Sequence, residues 1–520
     1  MSKIPALKEQ ILESAKSLNL GQYVWKYGVG PQMGYSFSII HALAYSFIGF
    51  QTAYIATHWN PIYWDTACLA VNSGSLEDNS TEEIVDIYES EQQELLEGTT
   101  FKDLPDRSGK IKKTSQTDYI KLAKALGEII NAGIKVSLID INKSDYGFKP
   151  DAENNQILFG MNALSGINNE IIEQIRAGRP YASLKDFMNR LTIKKPAMIS
   201  LIKSGAFDNL EEKWAKQLNI HPRILSMIYY LSIISEPKKR LTLQNVNGLI
   251  EKGIFPESLN REKNIFYFNK ELKKNKSGEY YKWSKEINDA ELAENFEIID
   301  GVYTIKQTVW DNIYKSKMDV VRDWLKENQS TALEAYNTVL FKELWDKDAK
   351  ENISAWEMQS LCFYYHEHEL ANIDTYKYGI EDFFNLSSIP EVEKTFTKNG
   401  KQIPIFKLCR IAGTVIGKND TKHIVSLLTT TGVVNIKFTR DYYAMYNRQI
   451  SKVNSDGKKS VLEKGWFTRG SKLLVTGFRR DDTFVAKRYN STPGHILWKI
   501  VSVDGSNISI EHNRVGDSDD

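Results

Sequence analysis

ILFGMNALSGINNEIIEQI, residues 157–175, carries two short helical runs on either side of Leu164-Ser165-Gly166-Ile167-Asn168. A glycine at such a turn reaches backbone conformations closed to other residues, so the chain can come close to a phosphate. The N–H groups that open the following helix then favour an anion. Contacts of this kind hold a duplex in position without reading its sequence. Asn168, at the far side of the turn, is one of the few non-glycine residues that tolerate the left-handed conformation. A degenerate copy follows at MISLIKSGAFDNL, residues 198–210, with Lys203 and Gly205 at the turn. From the turn alone, a helical hairpin used only for packing is the competing reading.

Outward from this stretch, the pattern is similar to a tandem helix-hairpin-helix over residues 119–235, with Gly166, Ile167, Asn168, Lys203 and Gly205 as candidate DNA contacts. A helical period from Asp118 to Ala132 leads into it and ends at Asn131–Gly133, a C-cap signature. Residues 236–400 read as a mixed connecting region, with charge and aromatics alternating over Lys263–Lys282 and a helix expected over 350–373. From about Ile405 the periodicity changes to short β-rich runs: FKLCRIAGTVIG, HIVSLLTT, GVVNIKFT, KLLVTGFR, TFVAKRY and ILWKIVSV. Short strands with turns and one helix near 440–450 predict a small barrel over 401–505. The tail, 506–520, is expected to be disordered.

Charge is unevenly spread. Residues 77–97 hold nine acids and no Lys or Arg, which makes 76–118 an acidic and basic insertion and linker. Residues 405–500 hold 18 Lys and Arg against 6 Asp and Glu, a local excess of +12. Such a concentration suggests a polyanion partner, with a merely solvated basic face as the bland alternative. At 520 residues two to four domains are expected. Cys68, Cys362 and Cys409 form no CxxC pair, which argues for a reducing compartment and against a disulfide framework or a structural zinc. No apolar run reaches the length of a membrane span; Ile39–Thr57 is interrupted by His41, Ser46, Gln51 and Thr52. The N-terminal segment, MSKIPALKEQILESAKSL, reads as an amphipathic helix and not a signal peptide, so the cytoplasm is the expected location. The glycines of GVGPQMG, residues 28–34, have the wrong spacing for a dinucleotide fingerprint and fit a tight loop ahead of the next helix.

YSFSIIHALAYSFIGFQTAYIATH, residues 35–58, resembles the end of the fingers in the alpha subunit of bacterial DNA polymerase III. Tyr35, Phe37, His41, Tyr45, Gln51, Tyr54 and His58 fall in register with that family's motif, while Ile39–Ile40 stand where it has Lys-Ser. Residues 1–75 would then be the end of the polymerase fingers. GIKVSLIDINKSDYGF, 133–148, is similar to the family's passage out of the fingers. WEMQSLCFYYHEHEL, 356–370, matches a family helix, with Cys362 and Glu369 in place of Gly and Pro. Within it Gln359–Phe363 mimics the short Gln-x-Leu-x-Phe peptide by which polymerases dock on a sliding clamp, a candidate partner. His366 and His368, two apart on a helix, would face different sides and share no metal. Residues 405–500 resemble the family's OB-fold. Lys422, Lys437, Arg440, Arg479, Arg480, Lys487 and Arg488 are its candidate DNA contacts, and Phe438, Phe478, Phe484 and Tyr489 its candidate stacking platforms. Ser451–Arg469 reads as an insertion.

The resemblance implies a multidomain α+β chain: a mostly helical fingers end and helix-hairpin-helix region, then a C-terminal OB barrel. It also implies that the catalytic carboxylates lie elsewhere. Two-metal phosphoryl transfer needs clustered carboxylates to hold Mg²⁺. In this family those are palm aspartates N-terminal to the fingers, and no matching pair is found here. The expectation is a DNA-directed DNA polymerase component with no catalytic residue, metal or cofactor of its own. Its expected partners are single- and double-stranded DNA and a palm-bearing half that holds Mg²⁺, in the cytoplasm of a bacterial or virus-infected cell. The alternative is a stand-alone, non-catalytic DNA-binding accessory protein.

Overall fold

The computed structural model describes residues 4–15, 17–29, 39–73, 119–398, 400–453, 457, 459–489 and 494–515. Helices α1 (Ile4–Ser14) and α2 (Leu18–Tyr23) lead into a π-helical turn, Val24–Val29, that takes in Gly28; most of the glycine loop and the whole acidic insertion lie outside the described residues. Helix α3 (Ile39–His58) is apolar and uncovered: Leu43, Tyr45, Phe47, Ile48, Phe50 and Tyr54 are each more than half exposed. Helix α4 (Pro61–Ser73) turns back and buries Ile62 and Leu69.

Helix α5 (Tyr119–Asn131) packs on α4 through Leu122, Leu126 and Ile129, a stripe at helical spacing, while Ala123 faces Ile416 and Leu428 further along the chain. A small sheet follows, β1 (Lys135–Ser137), β2 (Lys149–Asp151) and β3 (Gln156–Leu158), in the order β1-β3-β2. Five helices complete this unit: α6 (Asn169–Ala177), α7 (Leu184–Arg190), α8 (Lys195–Lys203), α9 (Asp208–Leu218) and α10 (Pro222–Ile234). They share one core with α4 and α5, containing Ile62, Leu126, Ile157, Phe187, Leu201 and Met227.

The connecting region is a unit with a core of its own. Helices α11 (Val246–Glu251) and α12 (Asn260–Glu271) precede a sheet of β4 (Lys273–Lys274), β5 (Tyr280–Trp283), β6 (Glu297–Ile299) and β7 (Val302–Lys306), ordered β4-β5-β7-β6. Short α13 (Ala290–Ala293) and long α14 (Gln307–Glu327) and α15 (Gln329–Asp348) cover it. Trp310 is fully buried at its centre and donates to Asn269 at 2.8 Å. The alternation of charge and aromatics over Lys263–Lys282 is this unit's half-buried helix and strands. Helix α15 starts in this core at Ala332 and Tyr336 and ends against the first, through Leu344 and Trp345.

Helix α16 (Ile353–Ser360) joins the helical unit to the barrel. The helix expected over 350–373 stops at Ser360 for two reasons. Cys362 takes φ +58°, and the buried Glu357 carboxylate accepts the N–H groups of Tyr365 and His366, each at 2.9 Å, pulling the chain out of the helical path. His366 and His368 therefore lie on coil and not on two faces of a helix. Glu357 also meets the buried Arg223 of α10 at 2.9 Å, and Arg223 meets Asp208 of α9 at 2.8 Å. Burial pushes the Asp208 carboxyl above its ordinary range against the pull of Arg223.

After α17 (Thr375–Tyr378), strands β8 (Val392–Lys398) and β9 (Lys401–Phe406) form a ribbon paired only within itself. The boundary expected at 400/401 thus falls inside a hairpin. Strands β10 (Cys409–Asn419), β11 (Ile424–Leu428) and β12 (Val433–Lys437) precede α18 (Arg440–Asn447), the hairpin β13 (Ile450–Val453) and β14 (Lys459–Glu463), then β15 (Lys472–Arg480) and β16 (Thr483–Ala486). Parallel pairing of β12 with β16 and antiparallel pairing of β10 with β15 close a five-strand OB barrel. Gly413 lets β10 lie close on β11, because a Cβ there would come 2.7 Å from the Leu428 carbonyl oxygen. Beyond the barrel, β17 (Leu497–Asp504) pairs with β15 and β18 (Asn507–Glu511) with β17. Residues 506–515 are therefore ordered, contrary to the expected disordered tail. Buried Arg514 donates to the carbonyls of Met445, Tyr446 and Arg448 at the end of α18 and pairs with Glu463 at 3.1 Å.

Four polar contacts clip the 361–370 coil to the barrel: Tyr364 Oη to Thr414 Oγ1 at 2.8 Å, Lys472 to Glu369 at 2.8 Å, Arg469 Nη1–H to Cys362 Sγ at 3.2 Å, and His368 Nε2–H to the Leu428 carbonyl at 3.0 Å. Burial, only partly offset by the Leu428 carbonyl, pushes His368 down to about 4. In the unfolded chain an imidazole titrates near ~6.5. The native form thus binds fewer protons between these values, so its stability is full above the upper one and is lost as pH falls toward the lower. Acidification across this window should remove up to about 3 kcal/mol. Urea unfolding at a series of pH values should show this slope in the native chain and not in H368Q; equal slopes would dismiss His368 as the cause.

Candidate nucleic-acid interface

At the first hairpin the backbone turns through Gly166, at φ +82°, and a Cβ there would meet nothing within 4 Å. The glycine is needed for conformation and not for space. Only one turn of 3-10 helix, Met161–Ala163, precedes it, where a short helix was expected. Asn168 is also placed differently from expectation. It is extended (φ −111°, ψ 168°), and its side chain accepts from the Ile171 N–H at 3.1 Å as the N-cap of α6. The capping bond, not a left-handed turn, is what Asn supplies here. The back of the hairpin is anchored: Ser165 N–H donates to the Ser360 carbonyl at 2.9 Å, and Ser200 Oγ donates to the Ser165 carbonyl at 2.6 Å. Gly166 and Asn168 are exposed and Ile167 is half-buried, so the tip is open to a ligand. Glu170 in the first turn of α6 lowers the tip's attraction for a phosphate.

The second turn is interior. Gly205 has φ +86°, but a Cβ on it would meet Arg223 Nη2 at 2.6 Å and Asp208 Oδ2 at 2.8 Å. Lys203 is buried, donates to Gln359 Oε1 at 2.5 Å, and burial lowers its pKa. Lys203 and Gly205 thus join α8 to α16 and α10 and do not face solvent, which corrects their expected place among surface DNA contacts. The same packing bears on Gln359–Phe363. Gln359 holds Lys203 and Glu351, and Leu361 is buried in the core, so this peptide is not extended and exposed as clamp docking requires.

The basic side chains of the barrel divide into three groups. Lys437, Arg480 and Lys487 line one open groove of about 590 Å³, together with Phe438, Phe478 and Tyr489. Phe438 and Phe478 are buried and form its floor, and Phe484 is wholly core; Tyr489 is the half-exposed ring. Lys487 Nζ lies 5.4 Å from the Tyr489 ring centre. Arg479 points away, because neighbours on a strand face opposite sides. It donates to the carbonyls of Phe383, Phe384 and Leu386 at 3.1, 3.3 and 2.8 Å and so fastens that turn. Lys422, Arg440 and Arg488 are exposed but do not line the groove. The residues that sequence reasoning missed are on the ribbon: Ile403, Pro404 and Phe406 form the facing wall. Their signal was Asn399-Gly400, a hairpin dipeptide between alternating runs.

Of the fingers residues, Tyr45, Gln51, Tyr54 and His58 are exposed on α3, and His41 falls within that helix. Tyr54 and His58 stack at 4.1 Å, with His58 Nδ1–H donating to the Tyr54 carbonyl at 3.1 Å. Tyr35 and Phe37 lie outside the described residues. Among the described residues no three of His, Cys, Asp and Glu are grouped to hold a metal ion, and no helix is long and apolar enough to cross a membrane.

A family described as a helix-hairpin-helix motif matches residues 133–217. The chain is 36% identical over 513 residues, 95% of its length, to the protein named Probable DNA polymerase YorL of Bacillus subtilis (strain 168). It is equally similar to the DNA-directed DNA polymerase of Bacillus phage SPbeta, and covers 36% of each of these relatives. DNA polymerase III subunit alpha of Thermus aquaticus is 28% identical over 195 residues, 36% of this chain and 12% of that one. The chain spans about a third of the length of the first two curated relatives.

Two expected outcomes follow from this geometry. Gly166→Val forces a β-branched residue into a left-handed turn at a cost of about 1–3 kcal/mol. It should weaken binding to a short duplex while circular dichroism stays native; unchanged affinity in a folded variant removes the hairpin from the DNA path. Arg480→Glu should lower single-strand affinity and flatten its salt dependence. Arg479→Glu should instead lower the melting temperature, because three carbonyls lose their donor. Equal effects of the two reversals on affinity would contradict the division of the barrel's charges.

Proposed function

We propose, from the premise that this chain is a C-terminal polymerase III alpha-like region, that it is the DNA-holding portion of a DNA-directed DNA polymerase. In this reading it works in the bacterial cytoplasm, and template-directed synthesis takes place with a palm-bearing portion on another chain. The observation that carries the reading is the similarity to DNA polymerases over 95% of the chain. The Gly166 hairpin would hold duplex behind the site of synthesis. The barrel groove would hold single strand, with cations on phosphate and a ring against a base. The Mg²⁺ ions of phosphoryl transfer would be held by carboxylates of the other portion.

Helix α3 supports a second chain as the partner. A continuous apolar surface of Leu43, Phe47, Ile48, Phe50 and Tyr54 is costly to leave in water, and a surface of this kind marks an interaction site. A stand-alone accessory binder would have no use for it, whereas fingers completed over a palm would cover it.

Primer extension with each chain alone and with both together tests this, alongside size-exclusion of the mixture. The expected result is no incorporation by this chain alone, a stable complex before DNA is added, and synthesis on mixing. Incorporation by this chain alone after stringent purification would put the catalytic site here. A palm-bearing chain that is fully active without it would favour the accessory-protein reading.

A further inference from the structure

The β8–β9 ribbon has no hydrogen-bonded place in the barrel sheet, yet its foot is fixed to the barrel. The Phe406 N–H donates to Tyr489 Oη at 2.9 Å, and the Phe406 ring lies 4.8 Å from that of Phe478. The Arg480 guanidinium sits 5.6 and 5.5 Å from these two ring centres. Beyond the foot the ribbon leaves Phe396 and Ile403 exposed and runs beside the groove. The two walls of that groove differ in chemistry. The ribbon contributes Ile403, Pro404 and Phe406; the barrel contributes Lys437, Arg480 and Lys487.

An apolar wall opposite a cationic one fits a single nucleic strand, which has bases along one side and phosphates along the other. A duplex does not fit, since its bases are stacked inside and both outer edges are phosphate. An acidic peptide would satisfy the lysines but give the Phe406 and Pro404 wall no flat surface to cover. We propose that the ribbon is the second wall of a single-strand channel, with Phe406 as a stacking platform and Ile403 and Pro404 as apolar base contacts, and that it governs how long a strand stays bound. The proposal rests on the single-strand reading of the barrel. It adds binding residues outside the barrel and a role in dissociation that the barrel's cations do not supply.

The test uses the full chain and fluorescent oligothymidine. Dissociation is followed by stopped flow after adding unlabelled competitor. One variant replaces Lys394–Pro404 by a short Gly-Ser turn and keeps the Phe406–Tyr489 foot. A second, Ile403→Glu, changes one exposed side chain and carries the test if the shortened chain unfolds. Losing the apolar base contact of Ile403, with the Phe406 ring left in place, predicts about a tenfold faster dissociation, with duplex affinity unchanged. Native dissociation rates in a folded variant, while Arg480→Glu still weakens binding, would overturn the ribbon's role and leave the single-strand reading standing. If Arg480→Glu and Ile403→Glu both leave binding unchanged, the single-strand reading fails and the ribbon proposal with it.

Discussion

Arg223 has no exposure to water and three elements to hold. Its guanidinium meets Asp208 at the start of α9, Glu357 on α16 and the Lys203 carbonyl at the end of α8. Desolvating such ions is costly, and the group persists only because almost every donor and acceptor in it is matched. Glu357 in turn accepts two N–H groups of the next turn and the His366 ring at 2.6 Å. One buried cation therefore sets both the angle between the helices behind the Gly166 hairpin and the path of the chain toward the barrel. Removing one partner would leave a buried charge unmatched, which typically costs about 3–5 kcal/mol.

This arrangement explains how a single chain keeps two candidate surfaces of different construction, the hairpin tip and the barrel groove, in a fixed relation. The hairpin offers backbone N–H groups, and its rear is tied to Ser360 on α16. The groove offers cations and rings, and its barrel is tied to the coil after α16 by Tyr364, Glu369 and His368. Both surfaces thus share α16 as one point of reference. Helix α5 adds a second tie, since Ala123 and Ile120 pack with Ile416 and Leu428 of the barrel, while α15 runs from the middle core to the first and makes the connecting region a brace on the helical unit.

What was legible in the sequence follows from periodicity. The barrel strands and α5 were readable because one face of each is buried and the other is not, so the period of 2 or 3.6 shows in the residues. The two turn glycines were also readable, but not which of them faces solvent. Gly166 and Gly205 have nearly the same φ, and only the tertiary position of Arg223 covers one. Lys203 misled for the same reason, since a lysine is rarely interior unless a partner waits, and its partner Gln359 is 156 residues away. The over-long helix at 350–373 followed an apolar run that continues past Ser360, where Cys362 occupies a backbone conformation more usual for glycine. In the ribbon, Asn399-Gly400 is a local hairpin signal, but the strand after it is exposed over most of its length and so shows no clear alternation of buried and exposed residues.

Arg514 gives this architecture a direction in time. The carbonyls that end α18 and the carboxylate of Glu463 wait for a side chain that comes 51 residues after Glu463. During synthesis the helical unit emerges first and can form its local contacts at once. The barrel, by contrast, must hold β10 until β15 arrives about sixty residues later. It then stays unlatched until Arg514 has emerged as well, 51 residues after Glu463. A nascent chain that stops short of Arg514 leaves Glu463 largely buried beside the Trp466 ring without its cationic partner, so a residue outside the barrel's own strands decides when the barrel is locked.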